Sequence, residues 1–478
     1  MNEPRSALLV ASLVTVVALA VFAAMAVPAR AAVPTNFNVS VHTGNDAEDA
    51  IAVNPTNPSN VVVMAIGLGP PRTLVVGTTF NGGQTWTRQT FDASSWIGDF
   101  CCDEQIAWDR FGNLWLTYLT ISSGNVFVAV STDGGLTFTK VAEIVPTTPT
   151  GSKAPSGAAS RRLPPVHLAK FGDQPSIAVG PNSVWVSYTS VPSTVIQASG
   201  APVTGLGQFG SFSPVQNVPT SAGRGDYGDT AVGPNGQVMV TYQDSTSGQG
   251  GSHIYTALDP DGLGPAGFDD PRLLAHSFVG GFDYLPVQPD RSVDAEANLA
   301  WDKSGGVHDG RVYAVWTREL PNESDDMDIM FQYSDDNGTT WTPAVKLNDD
   351  ATTNSQVNPS IAVDQTTGNV ALSWYDARND LGTGGAGDTN GIPNDDIQIW
   401  ATYSTNGGAS FVPNFQVSAG TSNAVAAQTG FDYGDYTHAA FQSGAFWPAW
   451  SDNSNSTGDN PDGTLYRLDL YTAKVVIP

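Results

Sequence analysis

The sequence predicts an all-β fold assembled from one unit repeated seven times, and three observations carry that reading. Short apolar triplets recur along the chain, each leads into a strand with period-two alternation, and no sustained helical period follows the leading segment. The 50 Gly and 32 Pro among 478 residues supply the turns, and 40% apolar with 10% aromatic residues suffices for a core.

The chain opens on a short polar start with Arg5, an apolar run from Ala7 to Val27 and the small-x-small pattern Ala29-Arg30-Ala31. This reads as a signal peptide over 1–31 with the mature domain over 32–478, so a secreted or extracytoplasmic protein is expected. The run is long enough to span a bilayer, which leaves an uncleaved anchor as the alternative. A formal net charge of −26 repels nucleic acid and anionic membranes, so neither is an expected partner, and no membrane insertion is expected after cleavage.

The seven triplets are Ile51-Ala52-Val53, Ile106-Ala107-Trp108, Ile177-Ala178-Val179, Thr230-Ala231-Val232, Leu299-Ala300-Trp301, Ile361-Ala362-Val363 and Ala439-Ala440-Phe441. Tight turns follow most of them, such as Gly233-Pro234-Asn235-Gly236. Next come alternating strands that end on an aromatic: Tyr118, Tyr188, Tyr242, Trp316, Trp374 and Trp450. Four units continue into a second signature, at Thr79 to Trp86, Ser131 to Phe138, Ser334 to Trp341 and Ser404 to Phe411. Its pattern S/T-x-D/N-x-G-x-S/T-W/F has the physics of a hairpin corner. Short polar side chains bond nearby backbone, Gly takes positive φ, and the aromatic ring packs on the strands.

This signature resembles the Asp-box, or BNR repeat, of the sialidase superfamily. The resemblance implies a β-propeller of four-stranded blades. Seven triplets favour seven blades, with the six of sialidases as the alternative. The last unit lacks a fourth strand, and Phe37-Asn38-Val39-Ser40-Val41 resembles the end of unit six, so the N-terminal strand is expected to close the ring. Asp-box propellers include glycosidases, lectins and proteins without catalysis, so the resemblance speaks to architecture more than to activity.

Lettering the strands A to D outward from the channel, the A–B turns are short and the C–D turns are the Asp-boxes. The long segments fall in B–C and D–A connections, which share one face, and that face is the expected working surface. Three residues before each triplet stand Glu48, Asp103, Gln174, Tyr227, Glu296, Asn358 and Tyr436. These would ring the channel mouth, either as a ligand site or as the polar lining of a wet channel. Gly225-Asp226-Tyr227 recurs as Gly434-Asp435-Tyr436, which adds Asp226 and Asp435 to the candidates.

Cys101 and Cys102 are the only cysteines and fall at the same mouth. Consecutive Cα atoms lie about 3.8 Å apart, below the usual disulfide minimum of about 4.4 Å. In an exported chain the pair is still expected to oxidise to a vicinal disulfide, a stiff apolar ledge beside Asp103 and Glu104; a reduced buried pair is the alternative.

Retaining sialidases, which the chain resembles, hold a carboxylate sugar with three arginines and use a Tyr nucleophile with Glu and Asp partners. By that resemblance Tyr436 or Tyr227 would be the nucleophile, with Asp103, Glu104 or Glu296 as acid/base or helper; stacking or packing are the other roles open to the tyrosines. The family's first arginine, in an R-I-P segment, has no counterpart: the matching segments read Asp173-Gln174-Pro175 and Val357-Asn358-Pro359. Arg224, Arg291, Arg318 and Arg378 lie near the face, and Arg318 and Arg378 join the ligand-binding candidates.

A mouth this acidic suits a neutral glycan or glycoprotein surface, bound through carboxylates, amides and aromatic faces. Hydrolysis is open, since it needs two carboxylates at a suitable separation. A sialidase-like exo-glycosidase and a non-catalytic protein-binding or wall-associated scaffold are the alternatives. A monomer is expected. No cofactor is required, although the loops Asp388-Thr389-Asn390 with Asp395-Asp396, and Asp452 to Asn455 with Asp459 and Asp462, could hold Ca²⁺; solvated acidic loops are the plainer reading. The Arg224-Gly225-Asp226 tripeptide sits in the repeat frame, and the six His show no zinc spacing.

Overall fold

Among the described residues, seven antiparallel sheets of four or five strands follow one another along the chain, and the inner strands of successive sheets lie against each other in a closed circle, the first against the last. The computed structural model describes residues 32–147, 170–226, 228–244 and 248–478. The expected signal segment, most of the basic insertion after Pro146, and Tyr227 lie outside those residues. The protein is a seven-bladed β-propeller. Blade 1 comprises Asp46–Val53, Val61–Gly67, Thr73–Thr79 and Thr87–Phe91, in that order from the channel outward. Blade 2 repeats the order with Phe100–Trp108, Leu114–Thr120, Val126–Ser131 and Thr139–Ile144.

All seven predicted triplets lie in inner strands: those two, then Phe171–Val179, Thr230–Val232, Asn298–Trp301, Gln356–Val363 and Ala439–Gln442. The six aromatics that end the second strands are each at most 2% exposed, because they fill the space between blades. Truncating one to Ala would cost about 3–5 kcal/mol. The only helix among the described residues is the single turn Ala424–Ala427, capped by the Asn423 side chain.

The four Asp-box corners share one hydrogen-bond pattern. The Ser131 hydroxyl donates to Asp133 (2.8 Å) and accepts from the Gly135 N–H (2.9 Å), while Asp133 accepts from the Thr137 N–H (3.0 Å). The set recurs at Thr79, Ser334 and Ser404. Such a corner satisfies its own backbone, which lets it stand in solvent at the blade edge.

Blade 7 closes the ring. Its own strands are Ala439–Gln442, Ala445–Asp452 and Asp469–Ala473; the fourth is the N-terminal Asn36–Asn38, paired antiparallel with Tyr471 to Ala473. Arg88 of blade 1 clamps the join, donating to the carbonyls of Val39 (2.8 Å) and Asn38 (2.9 Å). One element has no counterpart in the sequence reading: a hairpin, Asp283–Leu285 with Gln288–Val293, set in the connection between blades 4 and 5.

Candidate functional site

The ring positions are held by a repeated backbone device. In blades 1, 2, 3 and 6 the pairing of first and second strands skips at the ring residue, so two inner-strand residues oppose one on the partner. This is a β-bulge, which bends the strand and re-aims a side chain. At each bulge the ring residue has positive φ: Glu48 59°, Asp103 57°, Gln174 42° and Asn358 49°. Glu296 of blade 5 shares the conformation at 37°. Non-glycine residues rarely take this shape, and five equivalent instances mark a built feature.

The bulges bring side chains from distant blades together. The Gln174 N–H donates to Asp103 (3.0 Å), and the Gln174 amide donates to Asp435 (3.3 Å). Arg291, delivered by the unpredicted hairpin, pairs with Asp435 and reaches Glu48 at 3.5 Å. The Asp435 N–H also donates to Glu48 (3.4 Å), and Asn358 donates to the Gly434 carbonyl (3.4 Å). The Glu296 carboxyl lies within electrostatic reach of Asp294, Asp435 and Asp229. Tyr436 is within reach of Glu48, Asp103, Glu104 and Asp435.

These groups are almost wholly buried, and several oxygens lack a protein partner: Glu48 Oε2, both of Glu104, Glu296 Oε2, Gln174 Oε1, Asn358 Oδ1 and the Tyr436 hydroxyl. Burial first, then neighbouring acids, holds the carboxyls of Glu48 and Glu296 well above the ordinary carboxylate range. Burial does the same to Glu104, with Glu48 and Asp103 adding to it. Burial also raises the Tyr436 hydroxyl, and Glu48 and Asp103 reinforce the shift.

Above Glu48 two guanidiniums flank the half-buried Phe431, Arg291 at 4.4 Å and Arg72 at 5.1 Å from its ring centre. Burial lowers Arg72 from its ordinary value, and Glu48 partly offsets this. The Cys101–Cys102 disulfide is formed, and its two residues pack against the hydrophobic clusters on either side of blade 2.

Two other candidates, Arg378 and Arg318, stand elsewhere. Arg378 is buried in blade 6, bonded to Asp376 (2.7 Å) and Asp349 (2.8 Å) and stacked 4.1 Å over Trp400. Arg318 pairs with Asp328 (3.3 Å), which Lys346 also engages at 2.6 Å, across the strands of blade 5. Asp226 is buried in the short strand Gly225–Asp226, beside Gln243.

The sequence reading passed over Arg72, Asp49 and Asp229. Asp49 accepts from Ser451 (3.1 Å) and Tyr375 (3.5 Å); Asp229 accepts from Ser176 (2.6 Å) and the Leu299 N–H (2.8 Å). Each fastens three blades below the ring. Asp49 stands two residues before its triplet, where blade 2 has Glu104, so the repeat frame could have found it; Asp229 stands one residue before its own, where no other unit has an acid, and Arg72 lies in a loop with no repeat phase.

Of the first loop read for Ca²⁺, Asp395 and Asp396 are joined by Asp380, from outside it, with carboxylate oxygens of the three within 4.8 Å of one another. Protein donors engage most of these oxygens: Asp380 accepts from the N–H groups of Asp395 (2.7 Å) and Asp396 (2.9 Å), Asp396 accepts from Asn423 (2.9 Å), and Asp395 Oδ2 accepts from Asn390 (2.8 Å), while Asp395 Oδ1 is buried without a partner. Asp388 turns to the Gly384 and Gly391 N–H groups instead. In the second loop Asp452 is buried and accepts from the Trp450 indole (3.0 Å).

Comparison with known proteins matches the family described as BNR/Asp-box repeat to residues 332–343, the third of the four corners. No curated protein matches the chain in sequence. Among solved structures, a protein of unknown function from Dyadobacter fermentans is 11% identical, with a TM-score of 0.48, over 93% of this chain and 98% of that one. The Penicillium chrysogenum α-L-arabinanase is 13% identical, with a TM-score of 0.44, over 78% of this chain and 98% of its own. The Trypanosoma rangeli sialidase is 12% identical, with a TM-score of 0.44, over 82% of this chain and 56% of its own.

Proposed function

We propose that the protein recognises a hydroxyl-rich glycan at the central mouth, with glycoside hydrolysis as the activity the carboxyl cluster is best equipped for. One observation carries this reading: buried oxygens without protein partners converge from six blades on one ring. Buried polar oxygens need hydrogen-bond partners, and the hydroxyls of a sugar, which both donate and accept, supply them at the spacing of a ring. Glu48, Glu104 and Glu296, whose carboxyls burial holds well above the ordinary range, are suited to donate a proton to a leaving oxygen. Asp435, ion-paired with Arg291, is suited to the opposite role of a fixed negative charge. The vicinal disulfide fits an extracytoplasmic protein, which we take to act as a monomer after loss of residues 1–31.

Arg72 and Arg291 favour a second reading within the same site, in which the sugar carries a carboxylate held by the guanidiniums above Glu48. A panel of fluorogenic glycosides, neutral and acidic, tests both. Turnover should fall at least about a hundredfold in Glu296→Gln and Tyr436→Phe. Arg72→Met should spare neutral substrates and impair acidic ones if the second reading holds. No turnover, together with silence on a glycan array, would overturn the proposal in favour of a protein-binding scaffold.

A further inference from the structure

The first and last strands of the propeller meet where the ring closes. The closing strand Asn36–Asn38 belongs to blade 7, residues 39–45 carry the chain across, and Asp46 opens the inner strand of blade 1. Asp469, from the far end of the sequence, opens the third strand of blade 7. His42, Asp46 and Asp469 come together at this seam, one ligand atom of each lying within 4.8 Å of the others. None of the three is among the groups of the central ring.

Two features separate this cluster from an ordinary ion pair. The first is satisfaction. Asp46 and Asp469 are fully buried, yet Asp46 makes no well-formed hydrogen bond, the Ser40 hydroxyl and the Leu470 N–H standing near it but bonded to each other, and Asp469 Oδ1 has none either; only Asp469 Oδ2 is met, by the Asn38 amide. His42 Nδ1 is likewise unpartnered. Buried carboxyl oxygens without donors are costly and call for a proton or a counter-charge, and a cation can take the proton's place. The second is spacing. His42 Nε2 stands 3.4 Å from Asp46 Oδ1. Two ligands of a tetrahedral ion with bonds of about 2.0–2.1 Å stand about 3.3 Å apart, so the gap fits an ion as well as it fits a weak hydrogen bond.

We propose that His42, Asp46 and Asp469 form a binding site for one first-row divalent cation, of which Zn²⁺ is the representative, and that the ion staples the two ends of the ring. One imidazole with two carboxylates suits this class of metal better than the all-oxygen shells of Ca²⁺ and Mg²⁺. The His42 side chain is 25% exposed, which leaves an approach from solvent and a fourth position for water. Because the ligands come from both chain ends, a bound ion opposes opening at the seam, and its binding energy adds to stability.

The test uses chelator-stripped protein and ZnCl₂. Calorimetric titration should show one ion per chain, and Tm should rise by about 3 °C at a hundredfold excess over Kd. His42→Ala changes a partly exposed loop residue, so it should keep the fold and weaken Zn²⁺ at least about tenfold. Asp469→Asn should do the same, with the Asn38 contact retained. Absence of stoichiometric binding would overturn the proposal. So would Zn²⁺ affinity unchanged in His42→Ala, since the ion would then sit at another acidic cluster, and so would Ca²⁺ binding more tightly than Zn²⁺.

Discussion

At the scale of single residues, Gly434 shows how tightly the ring is specified. It has φ +87°, and its carbonyl accepts from Gln288 (3.2 Å) and Asn358 (3.4 Å). A Cβ placed there would lie 2.3 Å from Glu48 Cγ. Gly434→Ala therefore adds overlap to backbone strain, together about 3 kcal/mol, and pushes Glu48 out of place. Gly236 is the matched control, with φ +88° and nothing within 4 Å of the added atom. Its change to Ala meets the strain alone, about 1 kcal/mol. Urea melts of the two variants should differ accordingly; equal midpoints would show that Glu48 does not pack on that glycine. The same contact means that a Gly434→Ala protein which still folds should lose ligand binding.

Among the elements, the closing strand should matter most for its size. Asn36–Asn38 covers the edge of Asp469–Ala473, Val39 behind it is fully buried with Trp447 and Leu470, and Arg88 ties it to blade 1. Deleting residues 33–39 would expose that edge and open the core beneath it, and an open edge invites pairing between molecules. The expected outcome is a drop in apparent Tm on the order of 10 °C with light scattering that grows with concentration. A Tm within about 2 °C of the parent, by the same scale, would show that the seam is held by other contacts. The strand was legible because it repeats a pattern at the end of unit six. Inner strands and Asp-box corners were legible too, since alternation and turn chemistry are local. The ring positions could be counted from the triplets, but their left-handed bulges could not, because the conformation is imposed by packing between blades. The hairpin Asp283–Val293 stayed hidden: two short strands inside a connection carry no period, and Arg291 reaches the ring only because that hairpin folds over it.

Over the whole molecule the carboxyls fall into two populations with opposite effects on stability. At the corners, hydrogen bonds led by the Thr340 N–H hold Asp336 below its ordinary value. In the interior, burial raises Asp283, Asp380 and Asp432 to about 6 and Asp46 and Asp469 to about 8, with Glu48, Glu104 and Glu296 also well above the ordinary range. Where a folded-state value is raised, the native protein binds more protons than the unfolded chain. Stability then falls as pH climbs from about 4, the unfolded value, through about 8, where Asp46 and Asp469 lose their protons. The corner carboxyls act in reverse, and only below about 4. Apparent Tm, measured with chelator present so that no ion occupies the seam, should peak near about pH 4–5 and decline toward pH 8. The formal charge of −26 pushes the same way through surface repulsion, but that part is screened by salt, whereas buried carboxyls are screened far less. The decline should therefore persist in about 0.5 M NaCl, and Glu104→Gln, which removes a buried proton-binding group without changing shape, should flatten it. A Tm that climbs between pH 5 and 8 in high salt would mean that the interior acids are ionised and paired within the protein, and the unpartnered ring oxygens on which the glycan reading rests would lose their physical basis.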